Sequence, residues 1–324
     1  MEEFNLDLEK ELVRQDELRL IVKIARLHYQ EGWLQRRISN ELGLSTAKVS
    51  TLLSKAVEKG LVKIHIHDPF AQLSKLEDRI KTEYGLNYVN IVPGPFPDAN
   101  SLKAKLGLHA ALYLQKILRK GHIVGITGGT TINAMVTSKV FNTYIPIMVI
   151  PINGGISQSE YHFTGNGHAA KLANQLGGSY LQVPFPTFVS SPDTRTVIIK
   201  DRSASGPLEQ VKKADVIAFG IGTASTALLT LPHISMEEEQ QELQKKGVVA
   251  EIGGHFLDEN GVQVQTGFEK KLIGIELGDI KRVPMVIAVA GGIEKSNAIR
   301  SVLLSGVANA LIIDEPTALR LFKD

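Results

Sequence analysis

The 324-residue chain contains no cysteine, which excludes disulfide bonds and thiolate metal sites and is consistent with a reducing cytoplasm. Long apolar runs are also missing. Residues 145–152 form one of the longest, and it is interrupted by Pro146 and Pro151 and is too short to span a bilayer. The first 17 residues are acidic and have no apolar core, so they do not resemble a signal peptide. We expect a cytoplasmic protein with neither secretion nor a membrane anchor.

Two nucleotide-binding motifs are absent as well. No glycine-rich loop ends in Gly-Lys-Ser/Thr and no Gly-x-Gly-x-x-Gly occurs, so neither an ATPase P-loop nor a dinucleotide fingerprint is supported. Internal repeats and low-complexity segments are lacking too. The composition is otherwise ordinary, with 43% hydrophobic and 22% charged residues. The length of the chain suggests two or more domains, of which at least one has a substantial hydrophobic core.

Positive charge is concentrated in one part of the chain. Residues 18–66 contain nine Lys or Arg and three Asp or Glu, a net charge of +6, whereas residues 1–17 contain two basic and seven acidic residues, a net charge of −5. Because the whole chain carries +2, the remainder is close to neutral. A local basic excess of this kind is the electrostatic signature of a nucleic-acid-binding unit.

Residues 18–66 have the pattern of three short helices joined by tight turns. The second helix ends at Gly43, which favours the left-handed backbone of a sharp helix exit, and Ser45 is a natural N-cap for the third. Alternation over residues 61–66 predicts a strand, and hence a wing. The apolar faces are predicted to consist of Leu18, Ile21, Val22, Ala25 and Tyr29 in the first helix and Val49, Leu52, Leu53 and Val57 in the third.

This layout predicts a helix-turn-helix whose third helix enters the major groove of DNA. The alternative is a small helical bundle with a solvated lysine face, but turn, cap, spacing and charge all agree with the DNA-binding interpretation. Small polar side chains would face the bases and basic ones the phosphates. The predicted DNA-binding residues are Arg36, Arg37, Ser45, Thr46, Ala47, Lys48, Ser50, Thr51, Lys55 and Lys63.

After residue 86 the sequence alternates short apolar runs with helical patterns, which predicts an α/β fold with a doubly wound, mostly parallel sheet. Seven strands are predicted, at residues 88–92, 123–126, 147–150, 180–183, 216–220, 286–290 and 310–313. The predicted divisions are an acidic arm over residues 1–17, a winged helix-turn-helix over 18–67, a linker helix over 68–86 and an effector and oligomerisation domain over 87–324. The linker helix has one apolar seam, which could pair with its copy in a dimer or dock on the next domain.

Turns at the carboxyl ends of parallel strands are where such sheets bind ligands. The first such turn, residues 125–131, has the sequence GITGGTT and leads into a helix. Glycines allow close approach of an anion, and amides and hydroxyls can donate to it, so a phosphate would fit there. Polar turns also follow at residues 153–155, 220–223 and 290–295, and a hairpin with its turn at residues 258–261 is predicted after Ala250.

Taken together, these segments resemble the SorC family of sugar-responsive bacterial transcriptional regulators over nearly the whole chain. The matching segments are LRLIVKIA (18–25), LGLS (42–45) with VS (49–50), the loop at Gly125, ADV (214–216) before GIG (220–222), EIGGHFLD (251–258) with Gly261, and AVAGG (288–292) with Lys295. The resemblance implies a sensor domain related to phosphosugar isomerases and deaminases, and a tetramer of two dimers that binds operator DNA. The implied effector is a phosphorylated sugar or polyol. We expect neither a cofactor nor a metal.

The resemblance also implies roles for individual residues. Gly129, Thr130 and Thr131 are similar to the phosphate-binding loop, Lys295 to the lysine that contacts the effector, and Glu251 to an acidic residue that faces its hydroxyls. The sequence departs from the family at Thr51, where an arginine is common, and at Gly128, where an aromatic residue is often found. The remaining candidates follow from position alone: Gly128, Asn153, Gly154, Asn166, His168 and His255.

Two other functions fit part of the pattern. An isomerase or deaminase could use the same loop with Glu251, His255 and Lys295 for proton transfer at a sugar carbonyl. A regulator that has lost its ligand would be a constitutive DNA-bound scaffold. The basic helical segment favours the regulator over the enzyme, and we expect no catalytic residues. Whether Lys295 forms a Schiff base with an aldehyde is a separate hypothesis.

Overall fold

The computed structural model describes residues 2–65, 71–155, 163–227 and 236–322, with residues 2–13, 226–227 and 236–240 described by their backbone. The chain divides into two compact units, Met1–Pro69 and Phe70–Asp324. In the part of the chain that is described, no helix is both long enough and apolar enough to cross a membrane.

The first unit consists of three helices, α1 (Glu2–Tyr29), α2 (Gln35–Leu42) and α3 (Thr46–Glu58). Gly43 ends α2 with a φ of 61°, and the Ser45 side chain accepts a hydrogen bond of 3.2 Å from the Lys48 amide at the start of α3, as their sequence pattern predicts. The acidic residues predicted as a separate arm lie in the same continuous helix as the basic residues that follow them. The core of this unit contains Ile21, Ile24, Ala25, Ile38, Val49, Leu52, Leu53 and Ala56.

Part of the predicted apolar faces points away from this core. Leu18, Tyr29 and Val57 are each more than 40% exposed, whereas Ile24 and Ala56 are completely buried. The prediction of Leu18, Tyr29 and Val57 as core residues was therefore wrong. Each of these helices carries overlapping apolar stripes, and the sequence does not show which stripe is buried. The positions of the neighbouring helices, which local spacing does not specify, decide which stripe is covered.

The predicted wing also differs from the structure. Residues 61–65 form no strand, and Leu61 and Ile64 are exposed. A strand needs a hydrogen-bonded neighbour, and alternation within one short segment does not provide it. Residue 66, the last of the predicted strand, lies outside the described residues.

The second unit is built on a seven-stranded sheet. Its strands are β1 (Tyr88–Val92), β2 (Ile123–Ile126), β3 (Met148–Pro151), β4 (Ser179–Tyr180), β5 (Val216–Gly220), β9 (Met285–Val289) and β10 (Ala310–Asp314). They lie in the order β1-β10-β9-β5-β2-β3-β4, and every neighbouring pair is parallel. All seven predicted strands are present, so the prediction of a mostly parallel α/β sheet is confirmed.

A smaller antiparallel sheet contains β6 (Gly222–Thr223), β7 (Ala250–Ile252) and β8 (His255–Leu257). The hairpin between β7 and β8 turns at Gly253 and Gly254, which have φ values of +56° and +96°. The predicted hairpin is therefore present but its turn was misplaced. Residues 258–261 form a second turn, in which the Asp258 side chain accepts hydrogen bonds from the Asn260 and Val262 amides.

Helices cover both faces of the large sheet. Alternate strand residues point to opposite sides, so that Val216 and Ala218 of β5 join one core and Ile217 and Phe219 the other. The helices are α4 (Ala71–Tyr84), α5 (Ala99–Ile117), α6 (Thr130–Val136), α7 (Gly165–Leu176), α8 (Pro192–Lys200), α9 (Arg202–Val211), α10 (Ala224–Ala227), α11 (Met236–Lys245), α12 (Leu277–Lys281), α13 (Ser296–Ser305) and α14 (Glu315–Arg320).

Helix α4, the predicted linker, docks on the second unit. Its Ile80 is completely buried in the core, and its Glu77 carboxylate accepts a hydrogen bond of 2.8 Å from the Ile91 amide of β1. The sequence left open whether the apolar seam of this helix pairs with its copy in a dimer or docks on the next domain, and in the structure it docks on the next domain. Helix α8 was not predicted, because it has no fully buried residue and therefore no strong apolar stripe, although Ser191 and Pro192 form a typical helix start.

Candidate functional site

The order of the strands places a crevice at the carboxyl ends of β2 and β5. From β2 the chain proceeds to β3 and β4 on one side, and β5, β9 and β10 follow on the other, which makes β2/β5 the point where the strand order reverses. Ligands of open parallel sheets bind in this position. The two strand ends are joined by the Thr127 amide, which donates to the Ala218 carbonyl at 3.3 Å, and by the Thr127 hydroxyl, which accepts from the Gly220 amide at 3.4 Å.

The glycine-threonine loop connects β2 to α6 at this crevice. A methyl group at Gly128 would lie 2.7 Å from the Phe163 carbonyl oxygen, so glycine is required there for close packing. Gly129 has a φ of +103° and its amide donates to the same carbonyl at 2.8 Å. Gly129 and Thr130 are exposed and Thr131 is half-buried. The amides at the start of α6 have no acceptor within the helix and can therefore donate to an anion.

Two of the predicted effector residues support this loop from α7. His168 is completely buried, and its Nδ1 atom lies 2.9 Å from the Thr127 carbonyl oxygen. Asn166 exchanges two hydrogen bonds with the backbone of Val183, at 2.9 and 3.0 Å. Both side chains thus hold backbone segments around the crevice.

Asn153 and Gly154 follow β3 on the neighbouring side. The Asn153 amide group donates to the Gly253 carbonyl at 3.2 Å, which connects β3 to the β7–β8 turn. The Gly154 amide donates to the Ile273 carbonyl at 2.8 Å, and its own carbonyl accepts from the Thr187 hydroxyl at 2.7 Å. These contacts bring the β7–β8 turn towards the glycine-threonine loop: a methyl group at Gly253 would lie 3.8 Å from the Thr127 Cγ2 atom.

Glu251 and Lys295 bring opposite charges to the same region. Glu251 lies on β7 opposite Gly222, and its carboxylate accepts a hydrogen bond of 2.6 Å from the Gly254 amide. The Lys295 ammonium donates to the Ile221 carbonyl at 3.0 Å. Since Ile221 directly precedes Gly222, the two side chains converge on one edge of the small sheet. Both retain partial exposure to solvent.

Burial shifts the pKa values of both groups. It raises the pKa of Glu251, which the Gly254 amide and the Lys295 charge partly offset. Burial is also the main cause that lowers the pKa of Lys295; the Lys103 charge lowers it further, and Glu294 and Glu251 oppose the change. Each charged form is thus disfavoured by desolvation and favoured by the opposite charge.

His255 is separated from solvent and occupied at both ring nitrogens. Its Nε2 atom lies 2.9 Å from the Ile275 carbonyl oxygen and its Nδ1 atom 3.2 Å from the Gln263 side-chain nitrogen. Burial lowers the pKa of His255. This histidine therefore links β8 to residue 275 in the interior.

The assembled site combines donors for an anion with an acceptor for hydroxyls. The start of α6 and Lys295 supply donors, and the Glu251 carboxylate can accept from sugar hydroxyls. Within the described residues, no cluster of three His, Asp or Glu side chains has the arrangement of a metal site.

Sequence reasoning missed two residues near this site. Asp314 is buried at the end of β10, where its carboxylate accepts from the Gly292 amide at 2.9 Å and from the Thr317 amide and hydroxyl at 3.1 and 2.8 Å. The sequence signal was available, because Asp314 precedes Glu-Pro-Thr as a helix N-cap does. Lys103 on α5 is near Lys295, and nothing in its local sequence distinguishes it from other surface lysines.

The first unit presents the predicted DNA-binding residues on its surface. All except Lys55 are exposed. The Lys55 ammonium lies 2.8 Å from the Glu17 carboxylate, which lowers the pKa of Glu17. The Arg37 guanidinium stacks 3.8 Å from the centre of the Trp33 ring. Among the described residues, Lys48 forms no ion pair and stacks on no aromatic ring, and it lies in the first turn of α3.

The chain is similar to known proteins over nearly its whole length. Residues 68–323 match the profile of the Sugar-bind family, described as "Putative sugar-binding domain". The deoxyribonucleoside regulator of Bacillus subtilis is 31% identical over 305 residues, covering 94% of this chain and 97% of that protein. The erythritol catabolism regulatory protein EryD of Brucella abortus is 30% identical over 307 residues, covering 92% and 95%.

Solved structures agree with these relatives. The full-length sorbitol operon regulator SorC from Klebsiella pneumoniae superposes with a TM-score of 0.71 at 26% identity, over 95% of this chain and all of that one. The profile match over residues 68–323 assigns the α/β unit to the class of sugar-binding domains. The chain belongs to the SorC/DeoR-type family of sugar-responsive transcriptional regulators, and it is a transcriptional regulator rather than an isomerase or deaminase enzyme.

Proposed function

We propose that this regulator binds operator DNA through a helix-turn-helix in its first unit and that a phosphorylated sugar or polyol controls this binding from the second unit. The observation that carries the proposal is the crevice at the β2/β5 strand ends, where the open start of α6, Lys295 and Glu251 converge. Anion donors next to a hydroxyl acceptor match the two chemical parts of a sugar phosphate.

The DNA-binding part rests on the geometry of α2 and α3. The Gly43 turn and the Ser45 cap set α3 off from α2, and α3 exposes Thr46, Ala47, Ser50 and Thr51 beside Lys48. Small polar side chains can contact base edges, and Arg36, Arg37, Lys48 and Lys63 can contact phosphates. Lys55 has a smaller role in this proposal because it is paired with Glu17.

The effector part divides the predicted residues into two groups. Gly128, Gly129, Thr130, Thr131, Glu251 and Lys295 lie at the crevice with donors or acceptors that a ligand can reach. Asn153, Gly154, Asn166, His168 and His255 hold the surrounding backbone, so their effect on the effector would be indirect. The relatives named for deoxyribonucleosides, erythritol and sorbitol support a sugar or polyol skeleton.

We further propose that the protein is a homo-oligomer, in the form of a dimer of dimers. A helix-turn-helix reads a short half-site, so paired heads are needed for an operator of useful length. An effector that changes how the sensor units pack would then change the spacing of the heads.

The effector proposal is tested with the full chain and a set of phosphomonoesters of ribose, deoxyribose, erythritol and sorbitol, each beside its unphosphorylated parent. We expect one phosphorylated compound to raise the melting temperature and to change retardation of operator DNA selected from a random pool. If no compound changes either quantity, a DNA-bound scaffold without a ligand becomes the better interpretation.

The DNA-binding surface is tested by Lys48→Glu, with Lys59→Glu at the opposite end of α3 as a matched control. We expect Lys48→Glu to abolish retardation of the selected DNA and Lys59→Glu to retain it, because the start of α3 is the part that enters the groove. The milder Lys48→Ala should lower the slope of log affinity against log salt by about 1. Equal binding by both glutamate variants would contradict this orientation.

A further inference from the structure

Lys103 lies in the second turn of α5 and is half-buried. One turn further along α5, a methyl group at Gly107 would lie 2.7 Å from the Cβ atom of Ala134 in α6, so the two helices are in close contact there. Both helices follow parallel strands and therefore run in the same direction. Residues four apart on a helix share a face. One turn before this contact on each helix, Lys103 of α5 is therefore next to Thr130 and Thr131, the first residues of α6.

The same turn of α5 also contacts the segment that leads to Lys295. A methyl group at Gly291 would lie 2.8 Å from the Leu106 Cδ1 atom. The following Gly292 is fixed by its hydrogen bond to Asp314, and residues Ile293–Lys295 form a single 3₁₀ turn. Lys103, three residues before Leu106, is thus located between the start of α6 and Lys295.

Neither Lys103 nor Lys295 forms an ion pair within the described residues, although the Glu294 and Glu251 charges act on Lys295 from a distance. Lys103 is half-buried and has no carboxylate within salt-bridge distance in the described parts of the chain. Its charge is close enough to Lys295 to lower the pKa of that ammonium. Like charges that approach each other are costly unless an anion lies between them.

We propose that Lys103 is a second anion-binding lysine of the effector site, which holds the phosphate together with Lys295. The inference rests on the proposed effector function and makes it more specific. A phosphomonoester carries enough negative charge to satisfy two ammonium groups at once, whereas an uncharged sugar or polyol does not. The site would therefore select phosphorylated compounds through these two lysines and read the hydroxyls through Glu251.

Lys105 provides a matched control, because it lies on the same helix two residues away and is exposed. The probe is inorganic phosphate, titrated into the full chain at constant ionic strength with sodium chloride, and the readout is the melting temperature. We expect Lys103→Met to weaken the apparent phosphate affinity by roughly tenfold or more, as for loss of a charge-assisted hydrogen bond, and Lys105→Met to change it less than about twofold. Lys103→Arg should restore most of the affinity.

A measurement without any ligand tests the position of Lys103 separately. The reactivity of Lys295 towards acetic anhydride, followed by mass spectrometry as a function of pH, reports its pKa. Removing the neighbouring charge in Lys103→Met should raise the pKa of Lys295, and Lys105→Met should leave its titration unchanged. An unchanged Lys295 titration in Lys103→Met would overturn the proposed placement.

The outcomes distinguish the two proposals. Phosphate stabilisation that is equal in the wild type and in Lys103→Met overturns the role of Lys103 and leaves the effector site standing. If the wild type responds neither to phosphate nor to any phosphomonoester, the effector proposal itself fails, and the role of Lys103 fails with it.

Discussion

Glu251 and Lys295 are the residues at which the chemistry of the crevice is most constrained. Each is a charged side chain held in a partly desolvated position by one short hydrogen bond to the backbone, at 2.6 Å for Glu251 and 3.0 Å for Lys295. Such positions are costly to keep charged, and they commonly occur at functional sites. The pKa of Glu251 is raised by burial, so its charge has a measurable effect on stability.

Replacing Glu251 by Gln should stabilise the unliganded protein at neutral pH. Because the folded-state pKa of Glu251 lies above the ordinary value of 4.5, the native state binds the proton more tightly than the unfolded state does. The stability of the wild type therefore falls as pH rises from about 4.5 through the raised pKa, whereas a Gln side chain does not titrate. At pH 7 the free energy of unfolding, measured with urea, should be larger for Glu251→Gln than for the wild type. The difference between the two proteins should shrink towards pH 4.5.

Glu259→Gln, at an exposed position on the turn after β8, is the control for the loss of one negative charge. A stability difference for Glu251→Gln that is independent of pH would contradict the assigned cause. The same variant should bind the phosphorylated effector more weakly, because an amide accepts hydroxyl hydrogen bonds less strongly than a carboxylate does.

Among the elements, α5 and α6 determine the shape of the site. Their close contact at Gly107 brings Lys103 to the start of α6, and the α6 start carries the glycine-threonine loop. The central strands of the large sheet were predictable because they are buried on both faces and appear as short continuous apolar runs. The distance between α5 and α6 was not predictable. In the sequence Gly107 is only a weak helix former, and its contact with Ala134 exists only after folding.

Gly107→Ala should destabilise the protein by about 1–3 kcal/mol, the usual cost of overpacking. The new methyl group would lie 2.7 Å from both the Ala134 Cβ atom and the Met135 amide nitrogen, so the helices must separate. Gly206→Ala in α9 is the matched control, since a methyl group there has no atom within 4 Å apart from those of its chain neighbours. That variant should change the free energy of unfolding by less than about 1 kcal/mol, because the gain in helix propensity is opposed by the contact of the new Cβ atom with the following Pro207 ring. Urea unfolding measures both, and a neutral Gly107→Ala would contradict the close helix contact.

At the scale of the whole molecule, the two compact units have separate hydrophobic cores. The core of the first unit is centred on Ile24, Ile38 and Leu52, and the second unit has two large cores on either side of its sheet. The single tryptophan of the chain, Trp33, lies in the first unit, where Arg37 stacks on it. Its fluorescence therefore reports on the first unit alone.

We expect the two units to unfold in separate transitions. Ile24→Ala removes a completely buried side chain and should cost about 2–5 kcal/mol, lowering the transition seen by Trp33 fluorescence. Ile287→Ala, in β9 of the second unit, should instead lower the transition seen by far-ultraviolet circular dichroism. Coincident shifts of both signals in either variant would mean that the units unfold as one.

Local physical chemistry in the sequence determined the elements of this protein. Apolar periodicity defined the helices and strands, Gly43 and Ser45 marked the turn between α2 and α3, and the glycine-threonine loop marked a strand end. Only the tertiary structure decided which side chains meet. The burial of His168 and His255, the pairing of Lys55 with Glu17 and the approach of Lys103 to Lys295 all depend on contacts between residues far apart in the chain. Periodicity reports which face of an element is apolar, but packing determines what lies against it.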